Sequence, residues 1–236
     1  MKKRTVLRLT AAILCLLVLG CCIYVSDYYR AEETFGILAP SVSLETFEDR
    51  MVFLPEKPEA GLIFYPGGKV EFTAYAPLMA ALAEENILCV LLKMPLNLAV
   101  LDVDAAKGIP EQFPEVERWY LAGHSLGGSM AASFAGKHAD TYDGLILLAA
   151  YSTADLTETG LKVCSLYGDR DGILNLEKYQ KYRNYLPEDT LEQVLKGGNH
   201  AGFGCYGHQE GDGISGLETG AQIQWTADRV LELIQE

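Results

Sequence analysis

The sequence predicts an α/β protein: a three-layer α/β/α sandwich with a mostly parallel central sheet, preceded by an apolar N-terminal helix. Three observations predict it. Short, continuously apolar runs recur along the chain, among them residues 61–65 (GLIFY), 87–92 (ILCVLL) and 144–150 (GLILLAA), as expected of strands buried on both faces. Segments of helical spacing alternate with them, the arrangement that covers both faces of a parallel sheet. Within residues 118–133 (RWYLAGHSLGGSMAAS) the period changes abruptly, an apolar run giving way across a tight turn to small residues at helical spacing.

Taken in order, the chain begins with Lys2, Lys3 and Arg4, followed by a mainly apolar run seventeen residues long, 9–25, and then by Asp27 and Arg30. That length is at the short end of a membrane span. The basic flank keeps the N-terminus cytoplasmic and places the remainder of the chain on the far side of the membrane. An uncleaved anchor over residues 1–25 is the favoured reading. A cleaved signal peptide lacks an A-x-A-like site, and a lipoprotein signal rests on the loose match Val18-Leu19-Gly20-Cys21. All three export the domain.

Residues 26–42 read as a tether, and residues 43–236 as one folded domain, long enough to bury a single sizeable core. Residues 46–54 predict a short strand pair or a single strand, stopped by Pro55 and Pro58. Strand 61–65 leads into the turn Pro66-Gly67-Gly68-Lys69, helix 74–85 and strand 87–92, with Pro95 ending the strand. Residues 101–113 read as a shorter helical segment. A strand at 119–122, a turn at 123–127 and a helix at 128–138 come next. Strands 144–150, 161–167 and 190–195 flank a helix at 176–186, and an amphipathic helix at 221–234 closes the chain.

Charge and cysteines exclude several classes. Four of the 19 basic residues precede the first acid, so residues 26–236 hold 15 basic against 32 acidic residues, a formal charge of −17. That opposes nucleic acid and anionic membrane surfaces as ligands, leaving the N-terminal helix as the membrane contact. The six cysteines form neither a disulfide framework nor a zinc spacing; Cys89 and Cys164 lie in apolar runs as small buried residues, and Cys205 sits in a glycine-rich loop as a free thiol. Gly68-Lys69 is followed by Val70 and lacks a glycine at position 63, so it is not a P-loop, and no metal motif is present. No cofactor is expected.

The chemistry gathers at strand ends. Gly123-His124-Ser125-Leu126-Gly127 is the G-x-S-x-G turn that forces a serine into an exposed bend, with the following helix aiming N–H groups at any oxyanion formed there. Such a serine needs a base and an acid to orient that base. Gly168-Asp169-Arg170-Asp171-Gly172 follows one late strand and supplies two carboxylates; both are also ordinary turn formers. His200 follows the last strand and is preferred as base over His208, while His124 and His138 are poorly placed for that role.

With these residues the sequence resembles the α/β-hydrolase superfamily, and within it small lidless members similar to dienelactone hydrolases and minimal esterases. The matching features are GHSLG, FYPGG, YGDRDG and the histidine of GGNH, over residues 43–236. The resemblance implies the α/β-hydrolase fold and a serine hydrolase acting on a carboxylic ester, with Ser125 as nucleophile, His200 as base and Asp171, rather than Asp169, as acid. It implies an oxyanion hole from the backbone N–H of Leu126 and that of Gly68, with Lys69 as second choice, since Pro66-Gly67 stands where many members have His-Gly. The substrate is a small acyl compound. Acyl transfer, thioester or peptide cleavage on the same triad, and a non-catalytic binding protein of this fold, are the rival readings.

Only ten residues, 151–160, separate two strands where many members insert a lid, so an open crevice is expected. Residues 197–216 hold eight glycines in twenty; that loop either approaches a ligand closely or simply turns tightly, with Phe203 and Tyr206 as pocket wall or as anchors to the core.

Overall fold

The computed structural model describes residues 2–32 and 38–235. Helix α1 (Lys2–Ser26) contains a span, Val6–Ser26, whose mean hydropathy is 2.5 and of which nothing is buried against the rest of the chain. It is long and apolar enough to cross a membrane, a property that anchors and export signals share.

Eight strands form one sheet: β1 (Val42–Thr46), β2 (Arg50–Pro55), β3 (Ala60–Tyr65), β4 (Ile87–Leu92), β5 (Trp119–His124), β6 (Gly144–Leu148), β7 (Lys162–Gly168) and β8 (Leu191–Leu195). Their spatial order is β1-β2-β4-β3-β5-β6-β7-β8. From β4 to β8 every pairing is parallel; β2 runs antiparallel to β4 and β1 antiparallel to β2. Three-layer packing follows from the period of two along each strand. Leu62 and Phe64 of β3 join the core under helices α2 (Ala76–Glu84) and α5 (Thr219–Gln235), whereas Ile63 and Tyr65 join the core under helix α3 (Leu126–Ala135). All six residues of β3, β4 and β5 are buried, which is why these strands read as unbroken apolar runs.

Several element boundaries differ from the sequence reading. The region 101–113 is not a helix: it consists of turns, with single 3-10 turns at Ala99–Leu101 and Pro110–Gln112. Gly108 at φ 76° and Pro110 interrupt any continuous ladder there. The elbow helix starts directly after the serine, at Leu126, and stops at Ala135. The expected helix 176–186 is α4 (Leu176–Tyr182) followed by a 3-10 turn, Arg183–Tyr185. At the sheet edge the strand pair forms, as β1 and β2.

The stretch read as a tether is laid along the domain before residue 43. Tyr29 donates its N–H to the Lys69 carbonyl at 2.8 Å and accepts that of Glu71 at 2.8 Å, and Ala31 donates to the Glu71 carboxylate at 3.0 Å. Glu32 donates to the Cys205 carbonyl at 2.8 Å. Residues 33–37 of the stretch lie outside the described residues.

The feature that positions the site is the passage from β5 into α3. A side chain on Gly127 would collide with the carbonyls of Tyr65 and Pro66 at the end of β3, and one on Gly128 would stand 2.6 Å from the Ala150 Cβ. Gly127→Ala is therefore expected to lower stability by about 3 kcal/mol, read as a lower urea midpoint at unchanged slope.

Candidate active site

Ser125 caps α3 at φ 52° and ψ −122°, a backbone conformation that non-glycine residues rarely adopt. Its own N–H is bound to the Leu148 carbonyl at 2.9 Å, which fixes the bend against β6. Strain is concentrated nearby. Six non-glycine residues have positive φ among the described residues, and all but Asn86 belong to this end of the sheet: Ser125, Ala149 just after β6, Lys69 in the turn after β3, and Leu96 and Asn97 in the loop after β4.

The two loops after β7 and β8 meet beside it. His200 Nδ1 lies 2.8 Å from Asp171 Oδ2, and both side chains are almost fully enclosed, at 2% and 1% exposure. The other oxygen of Asp171 accepts the N–H groups of Ile173 at 2.8 Å and Leu174 at 2.7 Å. Those two bonds fix the orientation of the carboxylate toward the imidazole. Asp169, its rival in the same turn, is turned away and accepts the Gly197 N–H at 2.6 Å, joining the acid turn to the histidine loop. His208 is exposed and lines a different cavity, and the His138 ring packs on Phe134.

Ser125 and His200 line one open cleft of about 240 Å³. Ala149 and Ala150 contribute small residues to it; Tyr151, Ile173 and Leu174 contribute larger apolar surface. Ser129 donates to the Tyr151 carbonyl at 2.8 Å, and the Tyr151 ring stacks on Tyr182. Residues 151–160 form irregular turns and carry no lid.

Two backbone N–H groups near the serine turn are left without an acceptor among the described residues. Leu126 opens α3, so its N–H has no intrahelical acceptor. Gly68 does not line the cleft itself but abuts Leu126, whose Cδ2 would stand 2.9 Å from a Cβ placed on it. Among the described residues the Gly68 N–H makes no hydrogen bond, whereas the Lys69 N–H is spent on the Asn97 carbonyl at 2.8 Å. Of the two alternatives, Gly68 alone keeps a free donor.

Sequence reasoning missed the groups that brace this arrangement. Asp212 accepts the N–H groups of Gly172, His200, Gly213 and Ala201, tying the acid turn to the histidine loop. Buried Gln222 of α5 accepts the Asn199 N–H and donates to its carbonyl. Neither residue carries a sequence signal, because each acts only through tertiary contact. Phe203 and Tyr206 are buried, so of their two readings the anchoring one fits.

His124, dismissed as a base on its place in the sequence, sits beneath the site. Its ring centroid is 4.5 Å from that of His200, and its Nδ1 lies 2.8 Å from the Tyr75 hydroxyl, which also accepts the Gly67 N–H at 3.1 Å. Nε2 is buried without a partner. Burial, and then the neighbouring His200, hold the His124 pKa well below its ordinary value.

A strained serine at a strand-to-helix elbow and a buried histidine–carboxylate pair on the same cleft thus lie at the carboxyl end of a parallel α/β sheet. The model of the alpha/beta hydrolase family matches residues 61–224, and the chain belongs to that family. A comparison with curated protein sequences yields no match. Solved structures of similar fold include TT1662 from Thermus thermophilus, at 15% identity and TM-score 0.61 over 83% of this chain and 99% of that one. Est1E from Butyrivibrio proteoclasticus is 15% identical, with TM-score 0.57 over 83% of this chain and 100% of its own. MGS-MChE2, an alpha/beta hydrolase enzyme from the metagenome of lagoon sediments at Mar Chica, Morocco, is 14% identical, with TM-score 0.53 over 68% and 90%.

Because His124 is held neutral in the folded chain and titrates near 6.5 when unfolded, the unfolded state binds more protons below that pH. Folding stability is expected to be full above pH 6.5 and to fall as the medium is acidified. His124→Asn should flatten the slope by up to about 1.4 kcal/mol per pH unit, measured by urea titrations between pH 7 and 5.

Proposed function

We propose that this hydrolase is a serine hydrolase cleaving a carboxylic ester, or a related acyl bond, of a small molecule through an acyl-enzyme. The observation that carries the reading is the buried His200–Asp171 pair on the cleft that also holds Ser125 at its strained elbow. In the reaction His200 takes the Ser125 proton as the hydroxyl oxygen attacks the acyl carbon. Charge developing on the carbonyl oxygen is met by the N–H groups of Leu126 and Gly68, each contributing on the order of 3 kcal/mol to the transition state. His200 then protonates the leaving alcohol, and water activated by the same imidazole releases the acid. Asp171 keeps Nδ1 protonated and stabilises the imidazolium.

Placement accords with the same reading. Residues 1–25 anchor the chain in a membrane, and the hydrolase domain works on the exported side. The acidic surface of residues 26–236 suits neutral rather than polyanionic substrates.

With p-nitrophenyl acetate as a soluble ester, Ser125→Ala and His200→Ala are expected to lower kcat by on the order of 10⁶, and Asp171→Asn by about 10⁴. Asp169→Asn should weaken the loop junction and lower stability while leaving the chemical step.

A further inference from the structure

The distance between the apolar helix and the reactive turn is set by very few residues. The span ends at Ser26, and Tyr29 is already bound through its backbone to Lys69 and Glu71, on either side of Val70 and immediately after Gly68. Three residues of extended chain reach about 10 Å. Two further contacts close the gap: Asp27 Oδ2 lies 3.0 Å from Lys69 Nζ, and that ammonium stands 4.5 Å from the centre of the Tyr24 ring. The end of the span, with Tyr24, Tyr28 and Tyr29, has the aromatic character of a membrane–water boundary.

Beside the same turn the chain exposes apolar side chains. The Lys69 N–H is held by Asn97, and in the loop around it Leu96, Val100 and Leu101 are each more than half exposed, at 57%, 53% and 54%. Leu96 and Asn97 both hold positive φ, so this loop is kept outward at a cost in backbone strain. Apart from α1 itself, such large, highly exposed apolar residues are few in the described chain.

We propose that the occupant of this surface is the bilayer that α1 spans. The anchor seats the Leu96–Leu101 loop in the interface and turns the cleft toward it, so that the substrate class is an acyl ester of an amphiphile residing in the membrane. The proposal rests on the anchored-hydrolase reading and names its substrate class. The mainly acidic domain makes a neutral lipid surface the fitting one. No lid has to open, so the anchor replaces interfacial activation by permanent proximity: the ester and the cleft share one surface, and their encounter is governed by an effective concentration.

The test uses the full chain in phosphatidylcholine vesicles and two esters with one acyl group, p-nitrophenyl acetate in water and 2-hexadecyl-4-nitrophenyl acetate dissolved in the bilayer. A 20-residue Gly/Ser spacer inserted between Ser26 and Asp27 lengthens the link by about 25 Å. It should lower turnover of the bilayer ester about tenfold and leave the soluble ester unchanged. The double variant Leu96→Asp with Leu101→Asp should do the same. Leu101→Trp should add an emission component quenched by brominated phosphatidylcholine. Bilayer-ester turnover indifferent to both changes, or no added quenching, overturns the proposal. If the parent cleaves neither ester, the hydrolase reading fails, and the quenching measurement still decides whether this surface meets the bilayer.

Discussion

The constraint on which the site depends is steric: strand β5, helix α3 and the end of β3 must cross at distances that leave no room for side chains. Gly123, Gly127 and Gly128 each face backbone or a Cβ where their own Cβ would stand. Only with that crossing can Ser125 project at φ 52° from the carboxyl end of β5 while its N–H stays bound to β6. The strain is retained because neighbouring strands over-determine it, the hallmark of a backbone committed to a task other than stability. Everything else at the site is arranged around where that serine points.

A second level of order is polar. Asp171 and His200 are withdrawn from water, and breaking such a buried pair from one side typically costs about 3–5 kcal/mol. The surroundings make the burial tolerable. Two backbone donors complete Asp171, Asp212 collects four N–H groups from both loops, and Gln222 pins the residue before the histidine. The glycine-rich loop of residues 197–216 is thus stitched at many points. Underneath, Tyr75 links the Gly67 turn to His124, so the turn after β3 and the ring packed beneath His200 share a single buried hydroxyl.

The parts legible in the sequence are the local ones. Buried parallel strands announce themselves as apolar runs, and the elbow announces itself because small residues must recur around one serine. Asp171 was distinguishable from Asp169 only through the resemblance to a family, since both occupy one Gly-flanked turn; in the structure they divide the work, one facing His200 and the other Gly197. Residues 101–113 had helical spacing but contain Gly108 and Pro110, and the turn geometry prevailed. Asp212, Gln222 and Tyr75 had no pattern to betray them, because their partners lie far off in sequence. The docking of Tyr29 on the turn after β3 was hidden for the same reason, and it alters the meaning of the N-terminal segment: the apparent slack is a short coupling between an apolar helix and the site.

The central claim is that Ser125 is a nucleophile activated by His200. It is tested most directly by treating the full chain with a fluorophosphonate and mapping the adduct by peptide mass spectrometry. One stoichiometric phosphonyl group is expected on Ser125, formed rapidly in the parent and suppressed in His200→Ala. A folded protein that stays unlabelled, or an adduct mapped to another residue, would contradict it.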